Sequence, residues 1–323
     1  MKANFKPQKQ DLKRSIALVE KDSTMASLFA KYFVFEGRDG MWRRPSDIFL
    51  AVPFVETGLS TDVSPKLFIR FLFYCINSLQ GPRLGKALDA LNNSLRIRAD
   101  EPEILFLRSG VYTQLGMPDL AIKDLDSAIA LRPNFIEALL TRGLAHVTAS
   151  KPDIGMKDLD TALNLSPNNP DAYLTRGIAY GQLAAYDKAL WDLTKSIELN
   201  RHNPLSYFVR GTIRVKLGQH KPAIDDLTVS LSFDPNNSEA FRVRGWEQFA
   251  LGQYELAIAD ASQSLIGGPN HASTYLLRGR AFLKLQNAQR AHDDLTKALE
   301  MARDPDTAAE IRKALSEDAT TAN

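Results

Sequence analysis

The sequence predicts an all-α fold, an α-solenoid of about seven helix-turn-helix repeats with a helical extension before it and a capping helix after it. Three observations carry this: a period of 34 residues that never slips, small residues at fixed places within it, and a turn residue between two segments of helical periodicity. Arg-Gly recurs at Arg142-Gly143, Arg176-Gly177, Arg210-Gly211, Arg244-Gly245 and Arg278-Gly279, and Arg108-Ser109 falls one period earlier.

Counting each repeat from residues 102, 136, 170, 204, 238 and 272, position 20 is always small: Ala121, Gly155, Ala189, Ala223, Ala257 and Ala291. Position 24 is leucine in five repeats and Ala261 in the fifth, and position 27 is always alanine or serine. Gly116, Gly218 and Gly252 mark a turn near position 15. Position 32 is proline in four repeats (Pro133, Pro167, Pro235 and Pro269), whereas Arg201 and Arg303 break that pattern. Each repeat then holds two short helices that close on each other through the small residues at positions 8 and 20. Proline ends the second helix because it cannot continue the hydrogen-bond ladder. Neither helix buries enough apolar surface alone, so each repeat needs its neighbours.

This layout resembles the tetratricopeptide repeat: glycine at 8, alanine at 20, alanine or serine at 27, proline at 32 and a period of 34. Six clear repeats occupy 102–135, 136–169, 170–203, 204–237, 238–271 and 272–305, and a degenerate one occupies 64–101. The degenerate repeat opens at Ser64-Pro65, a helix-start pair, runs a first helix from Lys66 to Leu79, turns at Gly81-Pro82, and has Ala87 and Leu91 in register at positions 20 and 24. Cys75 stands where the glycine belongs. The resemblance covers about three quarters of the chain and implies a right-handed solenoid acting as a protein-binding scaffold.

Residues 1–63 are out of register. "MASLFAKYFVFEG" reads as a helix capped by Ser23 or Thr24 and stopped at Gly37, with Phe29, Tyr32, Phe33 and Phe35 around most of its circumference. Trp42 beside Arg43 and Arg44 suits packing and capping, with anion capture as the alternative. In residues 306–323, Ala308, Ile311 and Leu315 make an apolar stripe, and a helix from Thr307 to about Glu317 is expected to cover the open end of the array.

Position 7 is arginine in all six clear repeats (Arg108, Arg142, Arg176, Arg210, Arg244 and Arg278), and position 23 is aspartate in all six (Asp124, Asp158, Asp192, Asp226, Asp260 and Asp294). Cations and anions locked to one period read as partners, because a half-buried guanidinium needs a carboxylate. Arg176 reaches either Asp192 of its own repeat or Asp158 of the repeat before, and spacing alone does not choose between a ladder within repeats and one between them.

The resemblance implies that positions 2, 5, 9, 12 and 13 of the first helix line a concave groove. The residues so placed are Leu140, Leu144, Leu174, Ile178, Phe208, Arg242, Trp246, Arg280 and Lys284, joined by Phe249 and Lys216. An apolar track of that length calls for an occupant. The expected partner is another protein, supplying a peptide or an amphipathic helix, with an acidic flank opposite the basic residues. The alternative reading of the same track is inter-repeat packing. Glu103, Glu137 and Asp171 at position 2 are unlike the Lys-Asn-Arg clamp with which some family members hold a C-terminal carboxylate.

Bulk composition narrows the rest. Forty basic against 38 acidic residues leave a net charge of +2, short of the charge that announces a nucleic-acid binder. RNA binding of the one-base-per-repeat kind remains a rival, answered by the periodic aspartates. His146, His202, His220, His271 and His292 are scattered without metal-ligand or nucleophile-base spacing, so no enzyme, cofactor or metal is expected. A further rival is a homo-oligomeric scaffold, the N-terminal segment of one subunit lying in the groove of another. Cys75 is the only cysteine, the N-terminus lacks an uninterrupted apolar core, and Leu67 to Leu79 is too short and too polar to span a membrane. The cytoplasm is the expected compartment.

Overall fold

The structure, a computed structural model, describes residues 82–97, 100–267 and 271–321. The expected N-terminal helix, Trp42 with its arginines, and the first helix of the degenerate repeat with Cys75 lie outside these residues. Fourteen helices and no strand occur among the described residues. They are α1 (Pro82–Ile97), α2 (Pro102–Gln114), α3 (Pro118–Leu131), α4 (Ile136–Thr148), α5 (Pro152–Leu165), α6 (Pro170–Gln182) and α7 (Tyr186–Leu199), followed by α8 (Pro204–Lys216), α9 (His220–Phe233), α10 (Ser238–Ala250), α11 (Tyr254–Gly267), α12 (Ala272–Lys284), α13 (Ala288–Met301) and α14 (Pro305–Thr321). From α2 to α13 the even-numbered helices fill positions 1–13 of the period and the odd-numbered ones positions 17–30.

Each boundary has a local cause. Proline occupies the first helical position of α2, α3, α5 and α8, where the missing N–H would have had no intrahelical acceptor. Asn169, Asn203 and Asn237, the residues just before α6, α8 and α10, accept from the first turn at 2.9, 3.0 and 2.9 Å. The first helix of every clear repeat ends alike. Position 15 takes a left-handed conformation, with φ of 71° at Gly116, 68° at Gly218 and 74° at Gly252, and also 59° at Ser150, 56° at Ala184 and 57° at Gln286. The next N–H then bonds back to the carbonyl of position 11, as Met117 does to Tyr112 at 2.8 Å and Gln219 to Arg214 at 2.9 Å, closing a Schellman motif.

The chain divides after Ala179 into two compact units. In the first, each helix packs on its sequence neighbour from α1 to α5. Its core is two clusters: Leu105, Phe106, Leu125, Ala128, Phe135 and Ala138 on α2 to α4, and Leu139, Leu140, Val147, Leu159, Ala162, Leu163, Ala172 and Ala179 on α4 to α6. The tightest crossing lies here. A Cβ on Gly155 would stand 2.4 Å from the carbonyl oxygen of Gly143, so α4 and α5 approach on two glycines. Helix α1 buries Leu84, Ala87 and Leu91, the small-then-leucine spacing of the later second helices.

The second unit repeats the pattern. Leu227, Leu231 and Ala240 form one cluster, Ala257, Ala261, Leu277 and Ala281 a second, and Leu276, Leu295, Ala298, Ile311 and Ala314 a third. Helix α14 starts two residues before the expected Thr307, with Asp304 accepting from Thr307 N–H at 2.7 Å. Ile311 and Ala314 are its buried residues, while Ala308 and Leu315 sit at the margin of the contact.

Candidate protein-binding face and arginine ladder

Arg108, Arg142, Arg210, Arg244 and Arg278 each chelate the aspartate sixteen residues later, in their own repeat. In Arg108–Asp124, Arg142–Asp158, Arg210–Asp226, Arg244–Asp260 and Arg278–Asp294, Nε and Nη2 each donate to one carboxylate oxygen at 2.6 to 2.9 Å. This planar two-bond fit is what guanidinium and carboxylate do best. The aspartates are buried, and the bond to them, opposed by desolvation, raises the guanidinium of Arg108, Arg142 and Arg278 above its ordinary value.

The third nitrogen, Nη1, reaches sixteen residues the other way, into the preceding repeat. It donates to Asn92 from Arg108, Asp126 from Arg142, Asp160 from Arg176, Thr194 from Arg210, Thr228 from Arg244 and Ser262 from Arg278, at 2.8 to 3.1 Å. Of the two pairings that spacing left open, the structure shows the one within the repeat. Aspartate 23 belongs to the arginine's own repeat, and the link backwards goes to position 25, whose six short acceptors in sequence were the signal for it. Asn92 takes that place on α1, which sets α1 in register as the second helix of a repeat. Four of the arginines also lie over the ring at position 4, Tyr173, Tyr207, Phe241 and Tyr275, at 5.6 to 5.9 Å.

The groove residues separate into two groups. Leu140 and Leu174 are 7% and 6% exposed, and Leu140 packs among Leu139, Leu159 and Ala162. These two are core, because stacking of the next helix pair covers position 5, and the open track expected there is absent at both. Leu144 and Ile178 are half-buried, Leu144 against the same cluster. In the second unit Phe208, Arg242, Trp246 and Arg280 are half-buried and Lys284 is exposed. Phe208 leans on the Leu227 cluster, and Trp246 bridges the Ala257 and Leu276 clusters while meeting Phe249 edge-on at 5.9 Å. Both rings therefore have a packed side and a wet side.

The groove cations have carboxylates of their own. Arg242 pairs with Glu239 one turn earlier, and Arg280 Nη1 donates to Glu310 of α14 at 2.7 Å. Elsewhere Arg214 adds a third guanidinium bond to Asp226 at 2.8 Å. His220 Nδ1 meets the buried Glu247 at 2.7 Å, His146 is buried with an unpartnered Nδ1, and His202 stands edge-on to Phe233 at 5.4 Å. Among the described residues no three His, Cys, Asp or Glu side chains are grouped as metal ligands, and no helix is long and apolar enough to cross a membrane.

Paired helices in consecutive register, each hairpin bolted to the last, define a repeat scaffold of the kind that holds other proteins. Family profiles described as "Tetratricopeptide repeat" match residues 102–135 and 242–308, so the chain carries tetratricopeptide repeats. No curated protein matches it. Among solved structures it is similar to the APC/C hetero-tetramer Cut9-Hcn1, at TM-score 0.70 and 18% identity over 94% of this chain and 58% of that one. Another is a tetratricopeptide repeat protein from Parabacteroides merdae, at 0.52 and 20% over 79% and 98% of the respective chains. A third is PilF of Pseudomonas aeruginosa, at 0.58 and 16% over 71% and 98%. The chain thus spans little more than half the length of the first of these.

Proposed function

We propose that the chain is a non-enzymatic adaptor that holds an acidic peptide or amphipathic helix of another protein along the first-helix face of α8, α10 and α12. The supporting observation is that half-buried rings and cations share the first helices of neighbouring repeats: Phe208 and Lys216 on α8, Trp246, Phe249 and Arg242 on α10, and Arg280 and Lys284 on α12. Arg242 and Arg280 already hold carboxylates, Glu239 and Glu310, so a ligand carboxylate takes the place of one the protein supplies. Cys75 as the single cysteine suits work in the cytoplasm.

Trp246 and Phe208 also hold repeats together, so the test spares them. The variant Arg242→Glu/Arg280→Glu/Lys284→Glu reverses charge on the face and leaves the apolar clusters intact. Affinity capture from native lysate is expected to lose the partner with this variant while circular dichroism stays unchanged; capture at the wild-type level would sink the assignment.

A further inference from the structure

A second surface lies on the second helix of a repeat, away from the first-helix face. At position 22 the six repeats carry Lys123, Lys157, Trp191, Asp225, Ala259 and Asp293, and every one of these residues is exposed. The repeat asks for nothing apolar there, yet Trp191 leaves 60% of its surface in water. It borders a depression of about 490 Å³ lined by Leu190, Trp191, Thr194, Lys195 and Glu198, all on α7. A large ring left mostly in water on the outward face of a helix is the composition of an interface anchor.

The pattern around Trp191 says what fits. Lys188, Trp191, Lys195 and Glu198 are spaced three, four and three, the a/d seam of a helix pair. Set against its own copy in antiparallel sense, with the two-fold axis between Trp191 and Lys195, this seam is complementary to itself. Trp191 faces Lys195 of the second copy, ring to ammonium, and Lys188 faces Glu198 of the second copy, cation to anion. Each contact occurs twice. Lys195 and Glu198 of one chain already lie 3.0 Å apart with side chains 40% and 57% exposed, and Lys188 leans over Tyr180 at 5.5 Å, so all four groups sit at the surface and exchange partners without unfolding anything. We infer that α7 is a homodimerisation helix, pairing two copies of this chain antiparallel about Trp191 and Lys195. The pairing leaves the first-helix face open, so it stands or falls independently of the adaptor reading.

Sedimentation equilibrium of the full chain over a wide concentration range tests this. The wild-type mass is expected to rise from monomer to dimer, and Trp191→Ala to weaken association roughly tenfold or more. Glu198→Lys is expected to weaken it as well, and Lys188→Glu/Glu198→Lys, which restores opposite charges across the axis, to recover it. These positions are exposed, so helix content by circular dichroism should be the same in all four proteins. A wild-type mass that stays at 35.9 kDa overturns the proposal. So does a Trp191→Ala protein that associates like wild type, or a double variant no tighter than Glu198→Lys alone.

Discussion

The two compact units use the same arginine bolt and fasten it differently. Before Ala179 the backward-reaching Nη1 meets Asn92, Asp126 and Asp160; after it, the acceptors are Thr194, Thr228 and Ser262. In the first unit two of the three junctions are ion pairs with half-exposed carboxylates, Asp126 and Asp160 being 56% and 53% exposed. In the second, all three are bonds to neutral hydroxyls. The small residues differ too, since α4 and α5 cross on Gly143 and Gly155 while the later crossings set a glycine against an alanine. What is constant is the buried aspartate at position 23, and that constancy marks the part of the bolt where the energy lies.

The largest effect should come from removing a cation over that aspartate. Arg244→Met leaves Asp260, 5% exposed, without its chelating partner, and should cost about 3 kcal/mol in urea unfolding. Arg210→Met should cost clearly less, about 1 to 2 kcal/mol, because Arg214 still donates to Asp226. Equal losses in the two variants would mean that Arg214 gives no cover. Next comes the crossing in the first unit. Gly155→Ala drives a methyl group into the Gly143 carbonyl and the Val147 side chain, and should lower stability by about 2 kcal/mol. Ala223→Gly in the second unit removes a methyl and should cost about 1 kcal/mol, by helix propensity. Thermal melts in which Gly155→Ala is neutral would show that α4 and α5 have room to part. The smallest effect separates the two kinds of backward link. Asp126→Ala should cost about 0.5 kcal/mol at low ionic strength and nothing at high salt, whereas the loss from Thr228→Ala should be insensitive to salt. A salt-independent Asp126→Ala would remove the distinction between the units.

The period, helix limits and small-residue crossings were legible in the sequence because each depends on residue type at a fixed spacing. Position 15 was legible only where it is glycine. Ser150, Ala184 and Gln286 adopt the same left-handed turn because the flanking helices and the bond from position 16 to position 11 impose it, overriding a local cost of about 1 kcal/mol. Pairing of position 7 with position 23 was readable, but its direction was not, since both candidates lie on neighbouring second helices. The candidate face was the least readable part. Leu140 and Phe208 share position 5, yet one is core and the other half-wet, and that depends on what packs over each, which composition does not carry. Glu310 did not stand out as a groove residue, and Glu239 did so only by standing at position 2, because their roles rest on where Arg280 and Arg242 point.

The ladder has a consequence for how such a chain can be edited. Every periodic arginine binds backwards over sixteen residues, and the chelates run sixteen residues forwards, so the bonding pattern is unchanged by any shift of a whole period. Excising residues 204–237 would bring Arg244 into the place of Arg210, its Nη1 would meet Thr194 instead of Thr228, and its chelate with Asp260 would travel with it. Removing one residue fewer would set Arg244 seventeen residues after Thr194 and break the register at that junction. Duplication and loss of whole modules are therefore nearly silent to the structure, whereas a slip of a single residue is not.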